Sequence, residues 1–160
     1  MILAPNCDVL ELIVERDSLA VFAVPESALD DVWGYVNFLL DKNPELWNTG
    51  HTKDSIRTAL EQGMLKLWLV VSGAQVLFAF FTQNSVYPNA RILSVVWGSG
   101  ARLSEYIGLV LSALENVAAK TGQHFVSVEG RDGWKKPLAN FGYHHLQSQF
   151  IKPVSYERVH

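Results

Sequence analysis

The chain has 160 residues, 49% of them apolar and 18% charged, with a formal net charge of −3. That length predicts one domain with a sizeable core, and the balance excludes a disordered chain. The mild acidity also excludes a general nucleic-acid-coating role.

Cys7 is the single cysteine, so no intramolecular disulfide is possible, and a reducing compartment, the cytoplasm, is expected. The stretch MILAPNC lacks the charged region of a signal peptide. No apolar run approaches the roughly 20 residues of a membrane helix.

SLAVFAV, from Ser18 to Val24, is predicted as the first strand, ended by Pro25. PESALDDVWGYVNFLLDKN reads as a helix with Val32, Val36, Leu39 and Leu40 on one stripe, closed by Asn43-Pro44. HTKDSIRTALEQG predicts a shorter helix capped by Thr52 and stopped by Gly63. KLWLVV and VLFAFF form a hairpin around the four residues Ser72 to Gln75. NSVYPNA is a loop and RILSVVW the next strand. These runs are continuously apolar, which predicts a sheet covered on both faces.

GSGA then reads as a turn into the strongest helix, RLSEYIGLVLSALENVAAKTG. There Leu103, Ile107, Val110, Leu111, Leu114, Val117 and Ala118 recur at helical spacing, and Gly122 stops it. HFVSV is a strand, RDGWKKPLANFG a loop with a short helix, and YHHLQSQFIK a last strand. The domain is expected over 18–152, between an N-terminal segment, 1–17, and a tail, 153–160. No metal site is expected. His144 and His145 point to opposite faces of a strand, and His51, His124 and His160 lack ligand spacing.

This order, with VVWGSGAR leading into the long helix, LENVAAKTG ending it and LANFGY closing the short one, resembles the GNAT superfamily of acyl-CoA-dependent N-acyltransferases. The stretch GRDGW…FGY resembles the phage-encoded GNAT-like proteins, which carry a Gly-Arg-x-Gly-Trp signature. The resemblance implies an α+β fold: a mixed, mostly antiparallel sheet of six or seven strands with helices on both faces. It implies acetyl-CoA or another acyl-CoA as cosubstrate and a small-molecule or protein amine as acceptor.

The resemblance also implies a site. The thioester arm would pair with the strand around Val95, Val96 and Trp97, and the pyrophosphate would meet the start of the long helix, near Gly98, Ser99, Gly100 and Arg102. The family motif Gln/Arg-x-x-Gly-x-Gly/Ala fits in two competing registers. One uses Gly98 and Gly100 with Val95 at the Gln/Arg place; the other puts Arg102 there. Glu129 is the expected general base and Asp132 the next carboxylate. Tyr143 is the nearest candidate acid, because the family's usual tyrosine position holds Leu138. Trp47 is a candidate pocket wall. Arg131 is expected to bind backbone carbonyls or a carboxylate through its fork and hold the strands apart.

The departures at Leu138 and in the phosphate motif keep a second reading open. It is a catalytically inactive phage protein of this fold, acting as a virion component or binding a phage or host protein.

Overall fold

The structure is a computed structural model that describes residues 9–42, 51–129, 134–146 and 152. The chain forms two compact units, Met1–Gly130 and Arg131–His160.

In the first unit, six strands pair in sequence order: β1 (Glu11–Arg16), β2 (Leu19–Val24), β3 (Lys66–Ser72), β4 (Gln75–Tyr87), β5 (Ala90–Gly100) and β6 (Phe125–Val128). All neighbours are antiparallel except β5 and β6, which are parallel. The helices of this unit are α1 (Leu29–Asp41), α2 (Lys53–Glu61) and α3 (Leu103–Lys120). The expected mixed, mostly antiparallel α+β architecture is therefore present.

The central strands alternate between two covered faces. Leu67, Leu69, Val71, Ala79 and Phe81 pack with Leu29, Val32, Val36, Leu39 and Leu40 of α1 and Ile56 and Leu60 of α2. The intervening residues point the other way. There Phe78 tilts against Tyr106 of α3 at 6.1 Å between ring centroids, and Trp68 stacks on Phe80 at 5.7 Å. Both faces being buried explains the unbroken apolar runs. Each such side chain contributes about 1.5–3 kcal/mol.

Local signals act where expected. Thr52 caps α2 through a reciprocal pair with Ser55: each side chain accepts from the other's backbone N–H, at 3.0 and 2.8 Å. Gly63 and Gly122 take φ values of 74° and 72° just past α2 and α3.

Glu11–Arg16, to which the sequence reading gave no element, forms β1 on the sheet edge. Three expectations are corrected. The β3–β4 turn is two residues, not four, since Ser72 pairs with Gln75 and Gly73 takes a φ of 58°. NSVY is not loop but the exposed end of β4, and only Pro88 and Asn89 separate it from β5. Gly98, Ser99 and Gly100 are not a turn. They pair with Phe80, Ala79 and Phe78 as the end of β5.

In the second unit, α4 (Lys135–Ala139) follows Trp134, and Gly142 takes a φ of 84° just beyond it, as its place before Tyr143 predicts. Residues 143–146 form no strand, and the remainder of the expected last strand lies outside the described residues, apart from Lys152. So do Cys7, Trp47, Arg131, Asp132 and the Gly-Arg-x-Gly-Trp stretch up to Gly133. Among the described residues no helix is long and apolar enough to cross a membrane.

Candidate functional site

β5 and β6 begin as one parallel ladder. Ile92, Leu93, Ser94 and Val95 pair with Phe125, Val126, Ser127 and Val128. The Ser127 hydroxyl donates to Ser94 Oγ at 2.7 Å, and Glu129 N–H donates to the Val95 carbonyl at 2.9 Å. β6 ends at Val128 while β5 runs on to Gly100. Past Val95, the β5 edge that faced β6 has no strand partner among the described residues.

A bulge lies at the same point. Phe81 pairs with Trp97 and Thr82 with Val95, so Val96 is the extra residue. A bulge kinks its strand and raises the local twist. Val95 is buried, whereas Val96 and Trp97 are half-buried against the α1–α2 core, with Trp97 stacked on Phe81 at 5.0 Å.

The glycines that follow serve packing. A Cβ on Gly98 would lie 2.6 Å from Phe78 Cζ, and one on Gly100 would lie 2.6 Å from Phe78 Cα and collide with the Leu77 carbonyl. Only glycine lets Phe78 cross this strand end. Phe78 in turn meets Tyr106, whose hydroxyl donates to the Ala101 carbonyl. The turn from β5 into α3 is thereby tied to the first turn of the helix.

Arg102 is the cap residue of α3 and sits in the left-handed region, φ 60° and ψ 30°. Its Nε donates to Glu105 Oε2 at 2.6 Å, and both side chains are largely exposed. Glu105 complements the positive helix end, while Arg102 opposes it. A non-glycine residue held at positive φ costs on the order of 1–2 kcal/mol, and such strain concentrates at functional sites. The start of α3 also presents the unpaired amides that any helix start offers an anion.

Tyr106 and Tyr35 are the residues that the apolar stripes do not single out. Burial pushes the Tyr106 phenol well above its usual range, with Tyr35 adding to it, and burial pushes Tyr35 up to about 12. The sequence reading missed Tyr106; a tyrosine in a first turn, four residues after a positively charged cap, is the signal that could have found it.

Of the expected catalytic pair, Glu129 is exposed and stands beside Val95 through its backbone bond. Tyr143 belongs to the second unit, half-buried, with its backbone N–H donating to Leu138 O at 3.1 Å. Arg91 is exposed; its carbonyl accepts from His124 N–H at 2.8 Å, and its own N–H donates to the His124 side-chain Nδ1 at 3.0 Å. Among the described residues, no three His, Cys, Asp or Glu side chains gather as metal ligands would.

No family model matches the sequence, and no curated protein does. Solved structures do match the fold. A probable acetyltransferase superposes with a TM-score of 0.63 at 15% identity, over 86% of this chain and 99% of its own. An aminoglycoside acetyltransferase from an uncultured soil metagenomic sample gives 0.63 and 15%, over 87% and 100%. A predicted acetyltransferase with acetyl-CoA from Clostridium acetobutylicum gives 0.59 and 10%, over 84% and 96%. The fold is that of the GNAT acetyltransferases. At these identities the likeness establishes the fold and leaves the chemistry to the residues.

Proposed function

We propose that the chain is a GNAT-type N-acyltransferase that moves an acetyl group from acetyl-CoA to an amine. The observation that carries this reading is the parting of β5 from β6 after Val95, together with the bulge at Val96, just ahead of α3. It leaves a strand edge on which the amide-bearing arm of a thioester can pair, and a helix start where a pyrophosphate can sit. The acetyltransferase neighbours support the same reading.

The reaction is a direct transfer. The acceptor nitrogen attacks the thioester carbonyl carbon, and a tetrahedral oxyanion forms. Backbone N–H groups of the parted β5 edge stabilise it. The C–S bond then breaks and CoA leaves as the thiolate, which takes up a proton. Glu129, or a water that it orients, removes the proton from the amine. Arg102 draws the phosphates to the helix start. Of the two motif registers, the one that relies on Arg102 is favoured, because Gly98 and Gly100 make room for Phe78. The expected setting is the cytoplasm, with a small-molecule or protein amine as acceptor.

Isothermal titration of the purified chain with acetyl-CoA tests this reading. Saturable heat is expected, and its absence at millimolar ligand would sink it. A second reading is favoured by Leu138, which carries no titratable group where the family's usual acid stands. It is a protein that keeps the fold without the catalysis and works as a virion component or binding module. Co-sedimentation with purified phage particles, without turnover, is its expected result.

A further inference from the structure

A cavity of about 130 Å³ lies between the sheet and the end of α3. Val117, which lines it, is about 21 Å along the helix from Leu103 at 1.5 Å per residue. Gln123, Thr82, Lys66 and Trp68 also line it. At about 30 Å³ of liquid volume per water, it has room for a small organic molecule.

The polar groups of this cavity are unevenly matched. Gln123 Nε2 donates to Thr121 Oγ1 at 3.0 Å, and Thr121 Oγ1 donates its only proton to Val117 O at 2.7 Å. With the amide nitrogen facing Thr121 Oγ1, the hydroxyl proton stays on Val117 O and both bonds are made. Gln123 Oε1 is left buried with no protein donor among the described residues. An orphaned buried acceptor is rare and calls for an explanation.

The other groups offer protons. Thr82 is buried and accepts from Trp68 Nε1 at 2.7 Å, and its own hydroxyl proton has no protein acceptor among the described residues. Lys66 has no carboxylate partner among the described residues, and its Nζ stands 5.5 Å from the Trp68 ring centroid.

We propose that this cavity is a binding site for a small amino acid. Its nitrogen would donate to Gln123 Oε1, and its carboxylate would face Lys66 and the Thr82 hydroxyl. One short zwitterion satisfies the orphaned acceptor and both spare donors together. Neither an amine nor a carboxylate alone does so.

The test follows the Trp68 indole N–H and the Gln123 side-chain amide in ¹⁵N NMR spectra of the full chain, with glycine as the probe. Glycine is expected to shift both resonances saturably. Acetate and ethylamine, each lacking one group, should bind about tenfold or more weakly, since acetate leaves Gln123 Oε1 and ethylamine leaves the Thr82 hydroxyl and exposed Lys66 without a partner. Gln123→Leu and Lys66→Met should each weaken glycine binding by about the same factor. The Trp68 resonance reports that each variant is folded. Absence of a saturable shift with glycine, as in a cavity that holds only water, overturns the proposal. Equal affinity for glycine in wild type and both variants also overturns it. No acetyl-CoA enters the experiment, so its outcome is separate from that of the acyltransferase reading.

Discussion

The ring of Phe78 occupies the space that a side chain would need at Gly98. A Cβ there would lie 2.6 Å from Cζ, and at Gly100 the obstacle is backbone, the Leu77 carbonyl and Phe78 Cα. A ring can tilt, whereas a strand backbone in its ladder yields less. Gly98→Ala is therefore expected to destabilise by about 1–3 kcal/mol, the usual range for overpacking, and Gly100→Ala by more. Urea melts of the two variants check the order. Wild-type midpoints in both would mean that the glycines do not serve packing.

Arg102 opposes the α3 dipole and holds a left-handed backbone. Arg102→Gly relieves that backbone, worth about 1–2 kcal/mol, and removes an exposed pair with Glu105, worth about 0–1 kcal/mol. The variant is expected to keep or raise its melting temperature while binding acetyl-CoA more weakly. Unchanged affinity, measured by titration, would remove Arg102 from the phosphate site.

Much of the fold was legible because its signals are strong and local. The α3 stripe from Leu103 to Ala118, the Thr52 cap and the continuous runs of β3 and β4 each fix their element. β1 was not legible. ELIVER mixes charge with apolar residues, lies largely exposed on the sheet edge and forms only by pairing with β2. The GSG stretch misled for a physical reason. Glycine marks a turn and a close approach equally well in sequence, and only the position of Phe78 separates the two. The parting after Val95 depends on where β6 stops, which no residue in β5 records. The cavity beside Gln123 joins residues from β3, β4 and the end of α3, so spacing along the chain gives no sign of it.

Tyr35 and Tyr106 set the alkaline limit of the fold. Burial favours their neutral forms, so the folded chain holds protons that the unfolded chain releases above about pH 10. Their contribution is fully present below that pH and is lost as pH rises toward about 12. Urea midpoints measured across this window should fall, and Tyr106→Phe should make the fall shallower. An equal slope in the variant would contradict the assignment.

The Tyr106 hydroxyl has a second role through Ala101. At neutral pH, Tyr106→Phe removes one hydrogen bond and should cost about 0.5–1.5 kcal/mol. Loosening the turn ahead of α3 should also weaken acetyl-CoA binding, which calorimetry on the variant would detect. Loss of stability with unchanged affinity would confine Tyr106 to a structural role.

The Trp68 indole depends on Thr82 in the same way. Thr82→Val keeps the shape and leaves a buried N–H without its acceptor. The expected cost is about 1–3 kcal/mol, read from the urea midpoint. A midpoint equal to wild type would mean that another acceptor takes the indole proton.

The acyltransferase reading stands or falls on whether the parted β5 edge and the start of α3 take an acyl-CoA. Isothermal titration of the purified chain with acetyl-CoA measures this most directly. The account predicts saturable one-site binding that Arg102→Gly weakens. No detectable heat at millimolar acetyl-CoA would contradict it.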